Sequence, residues 1–181
     1  GFKPLSIGRL GGGYVLASET CALAQMGATY LRDVQPGELV LLDAAGMTST
    51  FFCEPAPVRA QCIFEHVYFA RPDSLVFGES VHAIRRALGE QLAREQPADA
   101  DLVIPVPDSG NSAALGYSRA SGIPLDYGFI RNHYVGRTFI MPQADQRASR
   151  VDLKLAVVPD VVRGRRVVVV GGGPGGLEAA R

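Results

Sequence analysis

Residues 101–110 read DLVIPVPDSG. The first six, Asp101 to Val106, form an almost unbroken apolar run, as a strand buried on both faces requires. Pro107-Asp108-Ser109-Gly110 then breaks the run with turn residues, and residues 110–120 follow with a helical pattern. Strand, turn and helix make the repeating unit of a parallel α/β sheet. Ligands bind such sheets at the carboxyl edge of the strands, where helix N-termini offer free N–H groups to an anion. Asp108 and Ser109 stand at that edge. Each is also a good helix cap, and the two roles can coexist.

Working outward, the rhythm on both sides of this stretch is strand alternating with helix. Val81, Ile84, Leu88 and Leu92 recur at helical spacing and predict one apolar face of a helix over 80–95, with Arg85, Arg86, Glu90 and Arg94 elsewhere. Strands are expected at 126–130 and 166–170. Before residue 54 the pattern is instead β-rich: short runs at 4–7, 14–18, 29–34, 38–43 and 48–53 are separated by Gly, Pro and Asp turns. A single short helix fits at 20–26, with Ser18 or Thr20 to cap it. Glu54-Pro55-Ala56-Pro57 is a stiff connection between the two patterns. The fold class is therefore α+β, then α/β with a parallel sheet.

Composition narrows the possibilities further. The 18 basic and 18 acidic side chains among 181 residues cancel, so no global field draws in nucleic acid or an anionic membrane. A hydrophobic fraction of 47% supports a real core, yet no apolar run approaches a membrane span. Three cysteines, Cys21, Cys53 and Cys62, are odd in number and irregularly spaced. That argues against a disulfide framework and for a reducing cytoplasm. Gly1 leads directly into a strand pattern and Arg181 falls in the first turn of a helix pattern, so the chain reads as a fragment.

Chemistry concentrates in two further stretches. Arg131 to Pro142, RNHYVGRTFIMP, places Arg131, His133, Tyr134 and Arg137 within seven residues. Guanidinium groups pair bidentately with phosphate oxygens, so this suits a loop that closes over an anionic substrate. An Arg-rich loop is also a common solvated surface. The other stretch, Cys62 to Ser74, reads CIFEHVYFARPDS.

Together with GFKPLSIGRL, YVLASETCAL, YLRDVQPGELV, LVIPVPDSGNSAALGY and GRRVVVV, these stretches resemble the amidophosphoribosyltransferases up to Val170. The resemblance implies that residues 1–57 are the C-terminal part of an N-terminal-nucleophile glutaminase domain. Residues 58–181 would be an incomplete type I phosphoribosyltransferase domain. It further implies glutamine-dependent transfer of ammonia to phosphoribosyl pyrophosphate (PRPP), giving 5-phosphoribosylamine, in a cytoplasmic enzyme that is a homo-oligomer at full length. Asp108, Ser109 and Arg131 would then bind PRPP, Ser109 through its magnesium. Tyr134 and Arg137 would act in catalysis, and Tyr134, Thr138 and Ile140 would line an ammonia channel. Cys62 matches a ligand of a [4Fe–4S] cluster found in one branch of the family. Such a cluster takes four thiolates, of which this chain offers one. The glutaminase nucleophile is absent, and Cys21 reads as a small buried residue rather than its substitute. The chain by itself is expected to be inactive.

After Val170 the resemblance stops. An acidic PRPP motif is expected there, but the chain reads GGGPGGLEAAR, with Gly171 and Gly172 in the acidic positions. A strand followed by Gly171, Gly173 and Gly176 forms the G-x-G-x-x-G turn of FAD- or NAD(P)-binding oxidoreductases. That alternative stands on these glycines alone.

Overall fold

The computed structural model describes residues 2–134 and 155–171. The chain divides into two compact units, Gly1–Ile84 and Arg85–Arg181.

In the first unit β1 (Ser6–Leu10) lies between β2 (Gly13–Ala17) and β3 (Thr29–Asp33), antiparallel to both. Ile7 of β1 and Leu23 of α1 (Thr20–Gln25) are wholly buried, and Cys21 of the same helix as Leu23 is buried as well. The expected cap of α1 is not made. Glu19 is the N-cap residue and no side chain bonds the helix end. Thr20 Oγ1 instead accepts from Leu75 N–H at 2.8 Å. Glu19 Oε2 accepts from Arg71 N–H at 2.8 Å and from Ser74 Oγ at 3.0 Å, so these polar groups tie α1 to a distant loop rather than to its own backbone.

A hairpin follows, β4 (Glu38–Asp43) and β5 (Gly46–Phe51). Arg32 of β3 grips Glu38 with two guanidinium nitrogens, at 2.7 and 2.9 Å. Beyond it, Glu65–Phe69 forms one π-helical turn that no sequence period announced. Lys3 Nζ is 2.6 Å from Glu65 and 4.5 Å from the centroid of Phe69. A minimal hairpin, β6 (Leu75–Val76) and β7 (Glu79–Ser80), leads into α2 (Val81–Glu95), and Ala70, Val76 and Val81 close a small core there.

The second unit is built on β8 (Leu102–Pro105), all four residues of which are buried. It pairs in parallel with β11 (Val167–Val170), from Leu102 opposite Val167 to Pro105 opposite Val170. Alternation carries its side chains to two cores. Val103 joins Ala93, Ala114, Tyr117 and Val170, whereas Leu102 and Ile104 join Phe129. The short helix Pro159–Val162 covers the second core through Val161 and Val162. The two-sided burial expected of 101–106 is found for Leu102–Pro105, whereas Asp101 is exposed and Val106 half-buried. At the amino edge of the pair, Arg166 binds Asp101 through two nitrogens and its own N–H, and also pairs with Asp99.

Helix α3 (Asn111–Ser121) runs where the sequence placed it. Helix α2 also forms over the expected range but buries another face. Val81, Arg85, Gly89 and Ala93 are buried, while Leu88 and Leu92 stay 45% and 39% exposed. Backbone proximity decides this. A Cβ on Gly89 would sit far inside van der Waals contact of the Ala113 carbonyl, and one on Gly116 would strike the Arg86 carbonyl. The helices touch through their glycines, so the contact face is chosen by the absence of side chains rather than by apolar bulk.

The strand expected at 126–130 is also shifted. Only Leu125 bridges β8 in parallel, opposite Val103. The regular strand is β9 (Phe129–Arg131), and it pairs antiparallel with β10 (Leu155–Val157). No helix among the described residues is long and apolar enough to cross a membrane.

Candidate functional site

The strand β8 ends at Pro105, and residues 107–110 carry the chain into α3. Val106 N–H donates to the Val170 carbonyl at 2.9 Å, and Gly110 N–H donates back to the Val106 carbonyl at 2.9 Å. The turn is thereby held against the end of both parallel strands. The Pro107–Asp108 peptide bond is cis. Asp108 and Ser109 are both exposed at this edge.

Neither residue caps α3. Gly110 is the N-cap residue, with no side-chain bond to the helix, and the Asp108 carbonyl alone accepts from Asn111 N–H at 3.3 Å. The Asp108 carboxylate is taken instead by Nη1 of Arg131, at the end of β9. Ser109 makes no side-chain hydrogen bond among the described residues. A loop carboxylate, a free hydroxyl and a guanidinium therefore meet at the carboxyl edge of a parallel sheet. Sequence reading missed Asn111, whose Oδ1 is buried without a hydrogen-bond partner among the described residues, as is Nε of Arg131. No periodicity marks such a residue, which is visible only once its surroundings are known.

The other named residues fare unequally. Tyr134 is fully exposed, its N–H donating to Asn132 Oδ1 at 3.0 Å. Arg137, Thr138 and Ile140 lie outside the described residues, as do Gly172, Gly173 and Gly176. Gly171 is placed directly after β11, and a Cβ there would lie 2.5 Å from Cβ of Val106. A carboxylate-bearing residue at 171 thus needs Val106 to move. Cys62 is half-buried, with its N–H on the Phe2 carbonyl at 3.2 Å. Among the described residues no three His, Cys, Asp or Glu side chains converge on one point. The residues present do not fit a four-thiolate cluster.

A cavity of about 270 Å³ in the first unit is lined by Lys3, Tyr30, Arg32, Asp33 and Arg59, among others. Its cations Arg32 and Lys3 are already committed to Glu38 and Glu65. Burial, reinforced by Asp33, pushes the Tyr30 hydroxyl up. Arg59 meets only the neutral side chain of Gln35, at 3.1 Å, so one of the cavity's three cations is without a carboxylate among the described residues.

No family model matches the chain. A curated relative from Mycobacterium tuberculosis (strain ATCC 25618 / H37Rv), named amidophosphoribosyltransferase, is 52% identical over 170 residues. Those residues are 94% of this chain and 32% of the relative. Relatives of the same name from Bacillus subtilis and Archaeoglobus fulgidus are 51% and 50% identical, again over 94% of this chain. The chain is homologous to amidophosphoribosyltransferases. Among solved structures, glutamine PRPP amidotransferase from B. subtilis, complexed with ADP and GMP, superposes with a TM-score of 0.83 at 50% identity. That match covers 93% of this chain and 37% of the other. A structure described as the allosteric regulatory enzyme of purine biosynthesis gives the same TM-score. The chain spans about a third of the length of the amidophosphoribosyltransferases it matches. Nothing in these likenesses supports the oxidoreductase alternative.

Proposed function

We propose that this chain is the central third of a glutamine-dependent amidophosphoribosyltransferase, in which ammonia displaces pyrophosphate from PRPP to give 5-phosphoribosylamine. Identity of about 50% along 94% of the chain carries the proposal. Residues 1–57 would belong to the glutaminase part and 58–181 to the phosphoribosyltransferase part, with assembly as a homo-oligomer at full length. The edge formed by Asp108, Ser109 and Arg131 fits the reaction chemically. PRPP arrives as its magnesium complex, a hydroxyl such as that of Ser109 can enter the metal's oxygen shell, and Arg131 can meet phosphate oxygens. Cations aimed at the departing pyrophosphate stabilise the charge that develops on it. Asp108 acts in this site through its hold on Arg131.

The test is a graft. Residues 2–170 replace the matching segment of the B. subtilis relative, and phosphoribosylamine formation from PRPP and free ammonia is followed. Retained turnover, lost on Ser109→Ala, is the expected outcome. A graft that folds and assembles but shows no PRPP-dependent turnover sinks the proposal. The isolated chain is expected to bind magnesium–PRPP weakly and to release no glutamate from glutamine.

A further inference from the structure

The ion pair between Asp108 and Arg131 has a form that bears on how the site handles anions. Asp108 engages one nitrogen of the guanidinium, Nη1, while Nε of the same group is buried with no hydrogen-bond partner among the described residues. A phosphate or pyrophosphate offers two oxygens to Nε and Nη together, the stronger, bidentate arrangement. The side chains of Arg131 and Asp108 are 38% and 59% exposed, so a ligand can reach the ion pair from solvent, and Nε becomes available to it only when the Arg131 side chain moves off Asp108. The backbone at Arg131 is fixed by its pairing with Leu155 in β10, leaving the side chain as the part free to change partner. Three residues past Asp108, Asn111 holds a second orphaned buried polar atom, and rotating its amide presents an N–H donor in place of Oδ1.

We propose that Asp108 is an internal stand-in for the substrate's phosphate: it holds Arg131 in the free chain, and Arg131 exchanges it for a pyrophosphate oxygen when ligand binds. This rests on the reading of the 107–110 edge as the PRPP site and adds the exchange. The exchange keeps the guanidinium aimed at the site when empty and lowers affinity, because the ligand must displace a carboxylate. It also gives Arg131 somewhere to return to as product pyrophosphate leaves. An exposed single-point ion pair is weak enough to be exchanged in this way.

The test titrates the chain, Asp108→Asn, Arg131→Gln and the double variant with magnesium and inorganic pyrophosphate by calorimetry. Asp108→Asn is expected to bind roughly three- to tenfold more tightly, and Asp108→Glu to behave as the parent. Arg131→Gln should bind more weakly, and in its background Asp108→Asn should give no gain. The Arg131 Nε–H resonance should move downfield on pyrophosphate addition as it acquires an acceptor. Weaker or unchanged binding by Asp108→Asn overturns the exchange. A gain that persists without Arg131 also overturns it, since simple repulsion then explains the effect. In both cases pyrophosphate still binds and the functional reading survives. Absence of binding in every variant overturns both.

Discussion

The hydroxyl of Tyr117, in the middle of α3, donates to the backbone carbonyl of Gln96 at 2.8 Å, just beyond the end of α2. Tyr117 is 2% exposed and belongs to the core that also holds Val103 and Ala114, so it is both packing and tether. Tyr117→Phe should cost about 1 kcal/mol, the net worth of one hydrogen bond, and Tyr117→Ala about 3–5 kcal/mol through the cavity it leaves. Urea unfolding followed by circular dichroism measures both. Equal losses for the two variants would show that packing contributes nothing at this position.

Where α2 and α3 meet through Gly89 and Gly116, one added methyl is a large change. Gly89→Ala and Gly116→Ala each place a carbon against a backbone carbonyl of the other helix. Alanine normally favours a helix over glycine, so the sign is diagnostic. Each variant should lower stability by about 1–3 kcal/mol or more through overpacking. A rise in denaturant midpoint would mean that the helices are further apart than described.

Acid should act through two carboxylates. Arg32 holds the Glu38 carboxyl down at about 2, and Arg166 holds Asp101 at about 2. Both are depressed in the folded chain, so their contribution is fully present above the ordinary carboxylate range. It is lost as pH falls from about 4.5 toward about 2. Thermal midpoints recorded across that window should fall less steeply in Glu38→Gln and in Asp101→Asn than in the parent. Parallel curves would sink the assignment.

Glu19 joins α1 to residues 71–74 through a charged acceptor. Glu19→Ala should speed hydrogen exchange at the Arg71 amide by at least tenfold, since charge-assisted bonds are worth roughly 1.5–3 kcal/mol. Glu19→Gln keeps an acceptor and should fall between. Mass spectrometry or NMR exchange on peptides covering 68–76 decides it.

What the sequence disclosed depended on whether the signal was local. The buried strand Leu102–Pro105 and the helix behind it were legible because a β-branched apolar stretch and a turn are properties of consecutive residues. The same is true of β1 to β5, though not of the two-residue strands β6 and β7. The buried face of α2 was not legible, since a hydrophobicity pattern gives no weight to Gly89 and reads Arg85 as solvent-facing. Asp108 was placed at the ligand edge and also offered as a cap, but its pairing with Arg131 was not foreseen, because that partner lies 23 residues on and nothing nearby names it. Strand β9 was misplaced for a related reason: its partner Leu155–Val157 carries no pattern distinct from other short apolar triplets. The likeness to amidophosphoribosyltransferases was legible up to Val170, because it rests on whole segments rather than on any one contact.

Arg166 turns the parallel pair into a ruler. By fastening its N–H and guanidinium to Asp101, it sets the zero mark from which Val167 to Val170 are counted off against Leu102 to Pro105. At about 3.3 Å per residue, Gly171 is then delivered some 16 Å away, level with the turn that carries Asp108. Whatever sequence follows Val170, its first residue inherits that address. A lineage could exchange the segment beyond this point and still present its opening residue to the same edge, provided Arg166 and Asp101 were kept and Val106 gave way to any side chain at 171.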